Sequence, residues 1–321
     1  KPGPLNSDFL YLGKYLTNND DPAIEFSPRS DLLPDNAPFN LRNAFSPGFV
    51  DLDFDGDQDL LVSVDFGNSS VLENDLHAFK FVTDRDVIND ENGMGSAIAD
   101  FNNDGLWDWF VSSIYGPVDE RLWPWGVEGN KLYFGSQEGG FYRSESSGIA
   151  SSKWAWGACA ADFDNDGLVD IFVENGWGYL PEEIRQSARQ PIIELIDSVL
   201  FDYKKTKASL FINLGNGIFE DRASSWGITS DTNGRGVACF DFDRDGDIDI
   251  FIAQNVGQPI LYENRASGYD ANNFVSIRLS ADVPNVDAVG SVVRIFHDGQ
   301  SQMRRISANS NFLGQDPPVL A

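Results

Sequence analysis

The sequence has 321 residues, 41% of them hydrophobic and 13% aromatic, enough apolar material for one large or two modest cores and too much for a disordered chain. Its 50 acidic residues outweigh 23 basic ones for a net charge of −27, which argues against nucleic acid and anionic lipid as partners, since both need basic patches. No apolar run approaches the length of a membrane span, and a chain that starts at Lys1 rather than Met reads as a processed form or a fragment.

Residues 1 to 45 are rich in Pro and Asn, with short apolar pieces such as Phe9-Leu10-Tyr11-Leu12, and are expected to supply outer strands of a repeat. From Phe49 onward one pattern recurs. Asp51, Asp53, Asp55 and Asp59 occupy positions 1, 3, 5 and 9 of a loop, with Gly56 at position 6 and Asp57 at position 7. The frame returns as Asp100, Asn102, Asp104, Leu106 and Asp108, as Asp162, Asp164, Asp166, Leu168 and Asp170, and as Asp241, Asp243, Asp245, Asp247 and Asp249. So many acidic oxygens repel one another unless a hard cation sits among them, and calcium, which takes oxygen ligands in an irregular shell, fits best. The four loops predict about four calcium ions, held by the side chains at positions 1, 3, 5 and 9 and, by geometric analogy, by the carbonyl at position 7. The second site is expected to be the weakest, because Asn102 offers a neutral oxygen. Position 4 is expected to point away from the ion, so that Asp166→Ala is harmful and Asn165→Ala tolerated.

An EF-hand is excluded because its glutamate at position 12 is replaced by Val62, Val111, Val173 and Ile252, and no helix flanks the loops. Each loop runs instead into an apolar β-type segment, namely Leu60-Leu61-Val62, Trp109-Phe110-Val111, Ile171-Phe172-Val173 and Ile250-Phe251-Ile252, the pattern of a strand buried on both faces. A small-residue strand leads into the loop, as in Gly157-Ala158-Cys159-Ala160-Ala161 and Gly236-Val237-Ala238-Cys239-Phe240, with glycine five residues ahead of the first Asp at Gly95, Gly157 and Gly236. Small side chains let strands crowd near the axis of a radial array. Hairpins follow, Leu132-Tyr133-Phe134 turning through Gly139-Gly140 to Phe141, and Leu210-Phe211-Ile212-Asn213 turning through Asn216-Gly217 to Phe219.

Two insertions interrupt the repeat. Residues 115 to 129 contain Trp123-Pro124-Trp125, a loop folded over the rim or an aromatic platform for a sugar or a partner side chain. Residues 181 to 207 carry the one helical signal, with Glu182-Glu183 first, apolar Ile192, Ile193, Leu195, Ile196, Val199 and Leu200, and Lys204, Lys205 and Lys207 last. Pro191 is expected to split it into two helices. Cys159 and Cys239 fall on opposite faces of equivalent strands. Two buried free thiols are expected, with a disulfide left open. Asn68-Ser69-Ser70 is a lone glycosylation sequon.

After residue 265 the pattern changes. Residues 273 to 281 alternate Phe274, Ser276 and Arg278 against Val275, Ile277 and Leu279 and predict a strand, and Val292 to Phe296 and Met303 to Ser307 predict two more around a His297-Asp298-Gly299 turn.

Residues from about 46 to 265, through the four loops and phrases such as Leu210-Phe211-Ile212-Asn213-Leu214-Gly215-Asn216-Gly217-Ile218-Phe219, resemble FG-GAP or VCBS repeats of the integrin α-subunit type. The resemblance implies an all-β fold, a β-propeller of four-stranded blades with calcium-binding loops, seven blades being usual where four loop-bearing units are counted here. Asn285-Val286-Asp287-Ala288-Val289-Gly290 and Gln302-Met303-Arg304-Arg305-Ile306 resemble the start of the ASPIC/UnbV domain, found after FG-GAP repeats in secreted proteins of the cartilage acidic protein type. The expected organisation is a propeller over 1–269, with the helical insertion at about 181–207, and a small, apparently truncated β-module over 270–321. Such a chain is expected outside the cell, where calcium is plentiful, as a module for adhesion, recognition or assembly, with a protein or glycan partner or other copies of itself joined through open β-edges. An extracellular enzyme acting on polysaccharide is one alternative, although only His77 and His297 offer imidazoles and no Gly-x-Ser-x-Gly motif is present. A self-associating subunit of a fibre or surface layer is the other.

Overall fold

A computed structural model describes residues 11–18, 21–34, 43–66, 69–76, 78–116, 128–144, 146–177, 194, 203, 206–266, 274–307 and 311–317. Among the described residues, strands β1 (Tyr11–Asn18) and β2 (Asp21–Pro28) pair only with each other. They are thus a hairpin of their own and not outer strands of a repeat, because neighbours in sequence satisfy one another's backbone groups locally. Leu32 and Leu33, just after it, pack on the first blade.

The first blade is the sheet β3 (Ala44–Val50), β4 (Asp59–Val64), β5 (Ser70–Asn74) and β6 (Phe79–Phe81). The second is β7 (Ser96–Ala99), β8 (Asp108–Val111), β9 (Lys131–Gly135) and β10 (Phe141–Arg143). The third begins with β11 (Ala155–Ala161) and β12 (Asp170–Asn175); β13 (Thr206–Lys207) lies outside it, and β14 (Ser209–Asn213) and β15 (Phe219–Asp221) complete it. β16 (Asp231–Thr232) pairs with β13, and the fourth blade follows as β17 (Gly234–Phe240), β18 (Asp249–Gln254) and β19 (Ile260–Tyr262), three strands among the described residues. The four antiparallel sheets form the blades of a β-propeller. The hairpins read from Gly139-Gly140 and Asn216-Gly217 are present, and all four turn residues have positive φ, from 54° to 88°, as such turns require.

Why the blades stack is visible in their inner strands. A Cβ at Gly48 of β3 would lie 2.7 Å from Ile98 of β7, one at Gly95 would lie 2.0 Å from the carbonyl of Trp156, and one at Gly157 would lie 2.4 Å from that of Arg235. Each glycine therefore lets its blade close on the next. The strands that leave the first three loops are buried on both faces as expected, every residue of β4, β8 and β12 being buried, whereas β18 in the last blade leaves Phe251 half-buried and Ala253 exposed. Apolar clusters join neighbours: Ala97, Phe110 and Leu132 with Ala158, Ile171 and Phe211, and Phe172 and Leu210 with Val237, Ile250 and Ile252. Each of the larger side chains among them, Val, Leu, Ile or Phe, contributes about 1.5–3 kcal/mol on burial.

The C-terminal segment continues this series. β20 (Val292–His297) and β21 (Gln300–Arg305) form the expected hairpin, and Met303, 2% exposed, enters the cluster of Val50, Leu61, Ile98 and Trp107. Further on, a Cβ at Gly236 of β17 would meet the carbonyl of Leu313 at 2.4 Å, and the Cys239 amide donates to Asp316 at 2.7 Å. Residues 312–316 thus take the place beside the fourth blade that a further inner strand would take. Over the described residues 274–281 the expected strand is not formed: Ile277 alone makes a bridge there, and Val275 is 64% exposed. The contact is made instead by Phe274, from the face read as polar, whose ring occupies the space above Gly246.

Cys159 and Cys239 form a disulfide with Cα atoms 6.3 Å apart, which corrects the expectation of free thiols. Their opposite faces on equivalent strands are the reason, since in a propeller one face of a blade packs on the opposite face of the next. Residues 117–127 of the tryptophan loop, Asn68 and most of the helical insertion lie outside the described residues; of the insertion, Glu194 is helical, Tyr203 is buried against Trp154, and Thr206–Lys207 is strand and not helix end. The disulfide spans 80 residues, so replacing both cysteines by alanine should lower stability by about 2–5 kcal/mol in denaturant unfolding; an unchanged midpoint would contradict the bridge.

Candidate metal centre

Each acidic loop closes the turn between the first two strands of a blade. The residue before position 1 pairs with position 9 in all four: Val50 with Asp59, Ala99 with Asp108, Ala161 with Asp170 and Phe240 with Asp249. Inside this frame the carboxylates are held by backbone N–H groups. The position-9 Oδ2 accepts from the position-2 amide at 2.8, 2.7, 2.9 and 2.9 Å in loops one to four. Its Oδ1 accepts from Asn74, Gly135, Asn213 and Asn264, where the third strand ends, at 2.8, 2.9, 2.7 and 2.7 Å. The position-1 Oδ2 accepts from the glycine amide at 3.1, 2.9, 2.8 and 3.1 Å. Position 4 and the glycine at position 6 both have positive φ in every loop, 59° and 99° at Phe54 and Gly56, which is why glycine recurs at 6.

This scaffold brings positions 1, 3 and 9 together. Asp51, Asp53 and Asp59, then Asp162, Asp164 and Asp170, then Asp241, Asp243 and Asp249 each offer oxygens within 4.8 Å of one another. In the second loop Asn102 stands between Asp100 and Asp108, and its Nδ2 donates to Asp104 at 2.9 Å. The position-5 residues Asp55, Asp104, Asp166 and Asp245 are exposed and outside the triads, their Oδ1 accepting from the amides of Asp57, Leu106, Leu168 and Asp247 at 3.0, 2.9, 2.8 and 3.0 Å.

The triads resist ionisation. Burial pushes Asp108 and Asp170 up to about 8, and Asp59, Asp100 and Asp162 up to about 6, against the backbone donors that pull the other way, while neighbouring carboxylates add to the rise. Burial also raises Asp249. Asp51 Oδ1 is buried without a hydrogen-bond donor. Orphaned acceptors, oxygen donors alone and crowded carboxylates together make a set that a hard cation satisfies.

Two participants were not foreseen. Asn165, at position 4 of the third loop, donates to Asp247 Oδ1 at 2.9 Å and to the Gly246 carbonyl at 3.4 Å in the fourth loop, and Asn103 reaches the Gly167 carbonyl at 3.3 Å. Position 4 of the second and third loops thus points away from its own loop's carboxylates and ties that loop to the next. The signal in sequence was asparagine itself, the non-glycine residue that best accepts left-handed backbone. The second is Arg304, half-buried in β21 with Nη2 3.8 Å from Asp162 Oδ2, a cation delivered to the acidic loops by the C-terminal hairpin.

Asn165→Ala should therefore not be neutral. It should lose about 2 kcal/mol in chemical unfolding, from the left-handed backbone and the lost hydrogen bonds, and Asn165→Gly should lose less. In chelator, the protons held by folded Asp108 and Asp170 are released by the unfolded chain near the ordinary value of about 4. Their stabilisation is complete below about pH 4 and fades as pH rises through about 8. The melting temperature without metal should fall from about pH 5 to about pH 8, and a flat profile would contradict the buried carboxylates.

Comparison with curated proteins returned no match. A solved structure of an Agrocybe aegerita lectin, described as recognising non-reducing terminal N-acetylglucosamine, is 15% identical over 88% of this chain and 72% of that chain with a TM-score of 0.41, a likeness from which nothing is carried over. Residues 51–111, 124–173 and 195–252 match the FG-GAP-like repeat. These segments hold the four acidic loops and make up more than half of the chain, which belongs to the FG-GAP-like repeat family.

Proposed function

We propose that the chain is a calcium-stabilised recognition or adhesion module that works outside the cell. The observation that carries the reading is the recurrence of one carboxylate triad, Asp51/Asp53/Asp59, Asp162/Asp164/Asp170 and Asp241/Asp243/Asp249, at one corner of three blades. Calcium is the ion proposed: the donors are all oxygens, the loops are short and irregular, and extracellular calcium is abundant enough for exposed sites. The second loop, with Asn102, is the weakest of the four. Its place at blade corners, bridged by Asn103 and Asn165, makes the ion a structural one that fixes the rim from which partners are bound.

An extracellular setting is supported by the Cys159–Cys239 disulfide and by the repeat family; no helix among the described residues is long and apolar enough to cross a membrane. Residues 270–321 are read as the start of an ASPIC/UnbV-like module resting on the propeller, and the partner as a protein or a glycan.

Binding to the folded state alone raises stability by about 2.7 kcal/mol per site at one hundred times the dissociation constant. Millimolar calcium should raise the melting temperature over that in chelator, and Asp164→Asn should remove a distinct part of the gain. An identical melting temperature in calcium and chelator would sink the reading.

A further inference from the structure

We propose that the third and fourth acidic loops load with metal as a coupled pair, the side chain at position 4 of the third ordering the fourth. The inference rests on the calcium reading above and adds to it a coupling that four separate sites would not have.

The position-4 residues are Phe54, Asn103, Asn165 and Arg244, all with left-handed backbone at φ 59°, 56°, 57° and 68°. In the second and third loops the residue is asparagine, which tolerates that conformation and also brings a donor. Asn165 Nδ2 donates to Asp247 Oδ1 at 2.9 Å and to the Gly246 carbonyl at 3.4 Å, and Asn103 Nδ2 to the Gly167 carbonyl at 3.3 Å. Asp247 is fully buried, so the bond from Asn165 goes to a carboxylate out of water, a kind about twice as strong as a neutral one. It holds position 7 of the fourth loop, the residue whose carbonyl is expected to face the ion there. The junction from the third loop to the fourth is therefore the strongest of the series.

The first junction is built differently. Phe54 has no side-chain donor, and the Gly105 carbonyl receives its bond from Arg294 of β20, with Nη2 at 3.4 Å and the guanidinium carbon 5.1 Å from the Phe54 ring centroid. The tie between the first and second loops thus comes from the C-terminal hairpin and not from the loops themselves.

Coupling follows from where position 4 lies, between the proposed ligands at positions 3 and 5. A third loop closed on an ion fixes Asp164 and Asp166, Asn165 between them, and through its hydrogen bonds Gly246 and Asp247 of the fourth loop. The fourth loop then binds with part of its ordering already complete, which is positive coupling without any change of ligand. By reciprocity a filled fourth loop strengthens the third by the same factor. The first loop takes no part in these bonds, and its filling is independent of the third.

The test is a calcium titration of the full chain, isotopically labelled at glycine and stripped with chelator, followed by NMR. The position-6 amides of Gly56, Gly167 and Gly246 donate to the first aspartate of their own loops and so report each loop separately. Asp164→Asn disables the third loop and should weaken filling at Gly246 about fivefold or more, with Gly56 unchanged. Asn165→Gly keeps the left-handed backbone and removes the donor; in that background Asp164→Asn should cause no further loss at Gly246. Asp243→Asn read at Gly167 gives the reciprocal loss where the fourth loop fills first. Unchanged filling at both Gly246 and Gly167, tighter filling in place of weaker, an equal loss in the Asn165→Gly background, or a loss that also shifts the amides of Gly48 and Gly95 at the blade contacts would each overturn the proposal. Amides that follow calcium without this coupling defeat it and leave the calcium module standing, whereas amides that ignore calcium defeat both.

Discussion

Crowded carboxylates are the constraint on which the rest of this structure depends. Two like charges 4 Å apart repel by about 4 kcal/mol at an effective dielectric constant of about 20, and each triad holds three within 4.8 Å. The chain answers with several devices at once. Backbone amides aim at positions 1 and 9, the buried members are pushed up towards protonation, and Arg304 stands beside Asp162. The triads have the donor set to hold a divalent cation as a further device, and the buried Asp51 Oδ1, left without a donor, is where it would act.

The same groups organise the propeller. Because position 9 accepts from the end of the third strand as well as from its own loop, each aspartate fastens three strands of its blade. Asn213 and Asn264 carry the tie to the preceding blade, and Asn103 and Asn165 carry it between successive loops. The disulfide repeats that link covalently between the third and fourth blades. Charge in the loops and packing between the blades are therefore one mechanical system.

Local signals were legible in the sequence. The loop frame, the buried strands after it, the glycines at the axis and the Gly-Gly and Asn-Gly hairpins depend on residues a few positions apart, and the structure has each. What depends on distant pairing was harder to read. The faces of Cys159 and Cys239 were assigned correctly, yet the conclusion drawn was wrong, because it compared strands within separate blades and not the faces that meet between them. Residues 273–281 alternate like a strand, but among the described residues 274–281 the one pairing is the bridge at Ile277, and Phe274 docks on Gly246 instead. Arg304 carries no local signal at all: it lies 142 residues after Asp162 in number and beside it in space.

The central claim is that cations replace protons as partners of the buried aspartates, beside the backbone donors that hold them. Calorimetric calcium titration near pH 7 in two buffers of different ionisation enthalpy measures that exchange directly. Asp108 and Asp170, raised to about 8 by burial, should release protons as calcium enters, so the observed heat should differ between the buffers in proportion to their ionisation enthalpies. Calcium binding with the same heat in both, or no binding, would contradict the account.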